Sequence, residues 1–278
     1  MELLLKVAGQ NLLRKWLVMN KIVLDKELKD YTNSDIEVSY QKQSDLLNIP
    51  CLSIKVNNKT DLLLELNGYI DKINIDIVIN CDCNIYIDCT SDDMKIKYHY
   101  SINNSSKCNV YKYNQVNHIN EMCVVDLDSI GSDIEYIFKS ICTYKENYDY
   151  VINHNCQNTI SNITNNGVNK SGAMNIQISG YIPKNIIGCT CNQNNRIINL
   201  TNNKCEIRPN LYIDCDDVNA NHSALIGKFD DNEMFYLNSR GISEIDATNL
   251  LIKGFILNGM ENEDILKKIT KDIDKYWR

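Results

Sequence analysis

The 278-residue chain carries 29 Lys and Arg against 36 Asp and Glu, a formal net charge of −7. That balance argues against nucleic acid or an anionic membrane as partner, because binding phosphates needs a basic face. With 44% hydrophobic residues the chain can fill a substantial core as one elongated body. No apolar stretch approaches the ~20 residues that span a bilayer, and the twelve cysteines read as reduced thiols of a cytoplasmic protein.

Residues 1 to about 30 are expected to form an N-terminal helical segment. The opening MELLLKVAGQNLLRKWLVM is interrupted by Lys6, Gln10, Asn11, Arg14 and Lys15 and has no small-residue cleavage site, so it reads as an amphipathic helix and not a signal peptide. Leu12, Leu13, Trp16, Leu17, Val23 and Leu24 are available for packing. Residues 31–227 read as a strand-rich body. Its clearest signal spans 73–89, where Ile73, Ile75, Ile77, Ile79, Cys81, Cys83, Ile85, Ile87 and Cys89 hold every odd position and mostly polar residues the even ones. Strands are typically about 5 to 6 residues long, so an alternation of this length, turning at Asn and Asp corners, fits stacked rungs. Shorter strand-like runs recur at 96–100, 110–113, 124–127, 134–141, 150–152 and 176–182. These features favour a β-helix or a sandwich. The abundance of Asn, Ile, Lys and Tyr matches an AT-rich genome, and much of the Asn is expected to carry no functional message.

Toward the C-terminus the signals sharpen. Leu211, Ile213 and Cys215 alternate with Tyr212 and Asp214 as in a half-buried strand, and Asp216 and Asp217 end it in a turn. Asp230 or Asp231 can cap a short helix carrying Met234, Phe235 and Leu237, which Gly241 stops. Ser243 and Asp246 resemble a capping box, and Ala247, Leu250, Leu251, Gly254 and Leu257 are expected on one face of the helix that follows. A last helix places Ile265, Leu266, Ile269, Ile273 and Trp277 on one side, with Glu261, Glu263 and Asp264 near its start. Residues 228–278 therefore form a C-terminal helical region.

Several constellations invite a chemical reading. Cys81, Cys83 and Cys89 share the inward phase of the isoleucines, so core packing is favoured over a metal site. His154 and Cys156 are two residues apart and would share a strand face; His118 with Cys123 is a looser pair. Cys205 and Cys215 flank Pro209 and would approach across a rung, with core placement as the default. There is no phosphate loop, dinucleotide fingerprint or helical pair of His ligands, so the chain is read as a non-enzyme that binds no nucleotide. His222, preceded by Asn219 and Asn221, is the polar residue that stands apart.

The run YIDCDDVNANHSALIGKFDDNEMFYLNSRGISEIDATNLLIKGF at 212–255 resembles the C-terminal core of the SufB/SufD family of iron–sulfur cluster assembly scaffolds. HNCQNT at 154–159 and Pro183 with Lys184 also fit that family, and KWLVMNKIVL near the start is a weaker match. The resemblance selects a mainly β fold, a right-handed parallel β-helix body with N-terminal and C-terminal helical segments. It implies a role closer to SufD: family members of the SufB type carry Glu where this chain has Ser223, and a cysteine where spacing from Pro209 places Asn194. His222 matches the SufD histidine proposed to help build the cluster. The implied partners are a SufB-type scaffold subunit and the ABC-type ATPase SufC, docking through Phe235, Tyr236, Arg240, Ile242, Leu250 and Leu251. A transient iron–sulfur cluster would form at the shared subunit interface. The alternative is a homodimeric scaffold, pairing with a second copy of itself and holding the nascent cluster through Cys191 or Cys189.

Overall fold

A computed structural model describes residues 19–25, 27–31, 35–42, 49–68 and 71–276. They form a β-solenoid of about six turns with helices at its C-terminal side. Fifteen strands build two faces. Face A stacks β1 (Asn20–Asp25), β5 (Thr60–Asn67), the first half of β7 (Cys83–Ile102), the first half of β8 (Lys107–Leu127), β9 (Asp133–Cys142), β11 (Ile160–Asn169), β13 (Cys189–Asn199) and β15 (Val218–Gly227). Face B stacks β4 (Cys51–Val56), β6 (Lys72–Ile79), the second halves of β7 and β8, β10 (Lys145–His154), β12 (Ala173–Ile182) and β14 (Glu206–Ile213). These neighbours run parallel, while β2 (Glu27–Tyr31) and β3 (Ile36–Gln41) pair antiparallel with β1 and β4 at the N-terminal end.

The alternation read at 73–89 becomes β6 and the start of β7, broken at residues 80–82 where the chain turns between faces. Ile73, Ile75, Ile77, Ile79, Cys83, Ile85, Ile87 and Cys89 all point into the core, whereas Cys81 sits half-buried in the corner. Successive rungs are 25 residues apart at Cys83 and Cys108 and 30 apart at Asn165 and Asn195. The repeat is therefore unequal, which hides it from a fixed-period search. The strands extend further toward the N-terminus than expected: Asn20–Asp25 and Glu27–Tyr31 are strands, not helix, because Ile22 and Leu24 alternate into the core beside β5. The rest of the expected N-terminal helix, residues 1–18, lies outside the described residues, as does Trp277.

Much of the asparagine has a structural use. Asn103, Asn80 and Asn57 donate in succession from rung to rung, Asn175, Asn147 and Asn120 do the same, and Asn221, Asn192 and Asn162 form a third ladder. Each side-chain amide donates to one neighbour and accepts from the next, a net ~0.5–1.5 kcal/mol per hydrogen bond.

The lumen changes character along its length. The first rungs are filled by Ile and Leu; the middle holds Tyr98, Tyr100, Tyr136, Phe138, Tyr148 and Tyr150 in mutual ring contact. Among these rings lies a fully buried ion pair between Lys112 and Glu121. Glu121 also accepts from Tyr150 at 3.3 Å and from Asn114 at 3.4 Å, and Lys112 sits 4.4 Å from the Tyr98 ring centroid. Next to this pair, Glu146 accepts from Ser140 at 2.7 Å and Tyr148 at 2.9 Å, and burial pushes its carboxyl up to about 7. A charge enclosed this way is tolerated because it is paired and hydrogen-bonded.

Three helices follow β15: α1 (Asp231–Ser239), α2 (Glu244–Leu257) and α3 (Glu263–Tyr276). Their caps follow the sequence. The Asp230 side chain accepts from the Asn232 amide, Gly241 takes φ of 82°, and Ser243 Oγ accepts from the Asp246 amide. The helices fold back along the outside of face A. There Ile252, Ile256, Ile265, Ile269 and Ile273 pack on Leu63, Tyr86, Tyr111, Tyr113, Val168 and Ile198. Lys268 of α3 clamps the contact by donating to both Asp88 carboxylate oxygens and to Thr90. The buried side of α2 is therefore Ala247, Ile252 and Ile256; Leu250, expected on that face, is 50% exposed.

Candidate functional site

The C-terminal end of the solenoid is open. Among the described residues β15 pairs with β13 and β14 with β12, and neither has a further strand beyond it. Such an edge presents unpaired backbone groups that can accept another strand. His222 lies on β15, exposed, in register with Gln193 of β13. Side chains alternate along a strand, so His222 shares the interior side with Ala220, Cys191 and Gln193, one rung beyond the last enclosed layer. Gln193 is 2% exposed and donates to the Asn210 carbonyl at 3.1 Å, while its Oε1 is buried with no hydrogen-bond partner. That oxygen stands in the column that His222 ends, in the enclosed layer directly beneath it.

The opposite, outward side of the same edge holds the other two positions singled out in the sequence. Asn194 and Ser223 are direct register partners, and Ser223 Oγ donates to Asn194 Oδ1 at 3.0 Å. The fold thus gathers His222, Ser223 and Asn194 on two adjacent strands, although 29 residues separate Asn194 from Ser223 in the sequence. Cys189 and Cys191 are close in space but enclosed, each 1% exposed and packed with Ile182 under Leu211, Val218 and Ala220. Burial pushes the Cys191 thiol up, away from the thiolate that binds metal.

Three sequence pairings dissolve. His154 is fully buried at the end of β10, with Nδ1 2.8 Å from Thr159 Oγ1 and Nε2 3.0 Å from Ser161 Oγ; Cys156 sits in the following turn. Burial lowers His154 to about 4, so it is a neutral, satisfied group at neutral pH. Its link is instead to Cys189, whose Sγ is 3.3 Å from Thr159 Oγ1. Thr159, Ser161 and Gln193 join this polar lumen, which the sequence signals only through their inward phase. His118 is exposed beside Tyr144, whereas Cys123 is buried, because an odd spacing puts them on opposite faces. Cys205 and Cys215 lie beyond opposite ends of β14 and do not approach across it. Among the described residues no group of three or more His, Cys, Asp or Glu side chains is arranged to hold a metal ion, and no helix is long and apolar enough to cross a membrane.

The second surface feature is α1, which buries none of its residues. Phe235 is 73% and Tyr236 58% exposed, and the Arg240 guanidinium lies 5.3 Å from the Tyr236 ring. Leu250 on α2 is also exposed, at 50%, and Ile242 and Leu251 are half-buried. Isolated apolar side chains are ordinary on surfaces, so the aromatic pair on a helix that buries nothing is the feature of interest.

Comparison with known proteins gives the family. Residues 97–255 match the family model described as SUF system FeS cluster assembly, SufBD core domain. An iron–sulfur cluster assembly SufBD family protein of Mycobacterium leprae is 48% identical over 63 residues, 22% of this chain and 16% of the relative. The iron–sulfur cluster assembly protein SufD of Bacillus subtilis is 31% identical over 135 residues, 47% of this chain and 31% of its own length. SufD of Escherichia coli is 44% identical over 50 residues, 18% and 12% of the two chains. The alignments thus span less than a third of these relatives. The family model covers more than half of this chain, from the middle rungs through α2, and the chain belongs to the SufBD core-domain family of iron–sulfur cluster assembly proteins of the SUF system.

Proposed function

We propose that this chain is a SufD-like scaffold subunit that works in the cytoplasm. It pairs with a SufB-type subunit through the open edge at β14 and β15, and docks a SufC-type ABC ATPase through the exposed apolar residues of α1 and α2. The observation that carries this reading is the placement of His222 on an unpaired edge strand. An imidazole there can ligate iron, more weakly than a thiolate does, and the edge that a second solenoid would extend is the edge it stands on. The nascent iron–sulfur cluster is the substrate of this assembly and is shared with the partner. Thiolate ligands come from the partner, because Cys189 and Cys191 are enclosed by Val218 and Ala220. A homodimer that used Cys191 or Cys189 would first have to open the last rung.

In this role the chain is not a catalyst. ATP hydrolysis by the docked ATPase supplies the motion, and α2, packed on face A, and α3, clamped there by Lys268 on Asp88, transmit it to the solenoid. Co-expression with the SufB-type and SufC-type proteins of the same genome, followed by light scattering on the purified complex, tests the reading. Wild type is expected in a complex with both, and Phe235→Ser with Tyr236→Ser is expected to lose the ATPase and keep the scaffold partner. A chain that captures neither partner and self-associates around a stable cluster would refute it.

A further inference from the structure

Cys83 and Cys108 are direct register partners on β7 and β8, with Cys83 donating to Cys108 Sγ across 3.8 Å. Parallel strands lie about 4.8 Å apart, within the ~4.4–6.8 Å Cα separation that a disulfide spans, so side-chain rotation and a small approach of the two strands bring the sulfurs together. The pair differs from other core thiols in its access. Cys83 begins its strand at the corner after Asp82 and lines a pocket of about 220 Å³ with Lys59, Asp61, Asp82, Lys107 and Asn109. Cys108 lies behind it, fully buried. Contact with Cys83 and burial hold the Cys108 thiol well above its ordinary range, which leaves Cys83 as the sulfur that meets a reagent first. Cys89, by contrast, faces Met94 inside the core, and burial pushes it up to about 12.

We propose that Cys83 and Cys108 form a redox-active thiol pair that exchanges with small dialkyl disulfides entering the corner pocket, closing reversibly into a covalent staple between two rungs. In the first step the Cys83 thiolate attacks one sulfur of the small disulfide. The S–S bond of the reagent breaks, a mixed disulfide forms on Cys83, and the departing thiolate takes up the proton that Cys83 lost. Cys108, no longer in contact with a Cys83 thiol, then attacks Cys83 Sγ and expels the second small thiolate, which takes up the Cys108 proton. Two protein thiols are oxidised and one small disulfide is reduced to two thiols, so atoms and electrons balance. The order follows the rule that an accessible thiol is the entry point and a neighbouring cysteine resolves the intermediate.

The test is to expose the reduced full-length chain to bis(2-hydroxyethyl) disulfide, quench with acid, alkylate, and map peptides by mass spectrometry without reduction. The expected result is a linked Cys83–Cys108 peptide with loss of two alkylatable thiols, reversed by dithiothreitol, appearing well before Cys89 or Cys123 reacts. Cys108→Ser should stop at the mixed disulfide on Cys83, and Cys83→Ser should leave Cys108 unmodified. The proposal is overturned if Cys83 stays fully alkylatable while half-buried thiols such as Cys81 and Cys215 take the reagent. It is equally overturned if Cys108 reacts at the wild-type rate in the Cys83→Ser protein. The wild-type map needs no variant, so the question is decided even if a serine is not tolerated.

Discussion

Removing the Lys268 ammonium tests how the helical side is held on the solenoid. Lys268 Nζ donates to both oxygens of Asp88 and to Thr90 Oγ1 at 2.6 Å, with side chains 27% and 12% exposed. Burial raises the Asp88 carboxyl and the Lys268 ammonium opposes it, so Lys268→Met leaves a mostly enclosed carboxylate without its counter-ion. Exposed pairs contribute ~0–1 kcal/mol and breaking a fully buried one costs ~3–5 kcal/mol; intermediate burial gives about 2 kcal/mol here. Since about 1.4 kcal/mol is a factor of ten, amide hydrogen exchange in α3 should speed up roughly 30-fold, with the inner rungs unchanged because opening is local. Lys268→Met combined with Asp88→Asn should recover most of the loss, as the stranded charge is gone. Exchange in α3 within about threefold of wild type, or a double variant as labile as Lys268→Met alone, would refute the clamp.

Glu146 gives a pH prediction. Its carboxyl is raised from 4.5 to about 7 by burial, so the folded state holds a proton that the unfolded chain releases. Its contribution is fully present below about 4.5 and is lost as pH rises through about 7. The shift corresponds to roughly 3 kcal/mol, and Glu146→Gln should flatten the fall in urea midpoint across that window; an unchanged slope would contradict it. Gly172→Ala would drive a Cβ into the Tyr144 carbonyl and to 2.7 Å from Cys142 Sγ. Backbone cannot yield as a side-chain tip can, so a loss of at least ~1–3 kcal/mol in chemical denaturation is expected, and wild-type stability would show that the corner is looser than described.

The sequence revealed most where one face is buried and the other wet. The odd-position isoleucines at 73–89, the Asp230 and Ser243 caps and the Gly241 stop are all found in the structure. At 20–31 strand and helix look alike in the sequence because Ile22, Val23 and Leu24 make a short apolar cluster that suits either period. The face of α2 was misread for a related reason: Leu250, Leu251, Ile252, Phe255, Ile256 and Leu257 surround the helix, so periodicity alone chooses no side. Its true partners, Val168 and Ile198, occupy outward positions of their strands and become visible only once the register is known. Within the candidate site, His222 and its neighbours Asn194 and Ser223 were legible as letters. Their adjacency depends on a rung of unequal length, and the partners of His154 depend on which polar residues turn inward.

The central claim is that His222 acts on cluster assembly from the open edge and contributes nothing to the fold. His222→Ala, assayed by the rise of the iron–sulfur chromophore in an anaerobic mixture with the SufB-type and SufC-type partners, tests it directly. The expected result is a strong loss of cluster formation, with the complex intact and stability within about 0.5 kcal/mol of wild type, as for an exposed side chain. Cluster formation at the wild-type rate in an intact His222→Ala complex would contradict it.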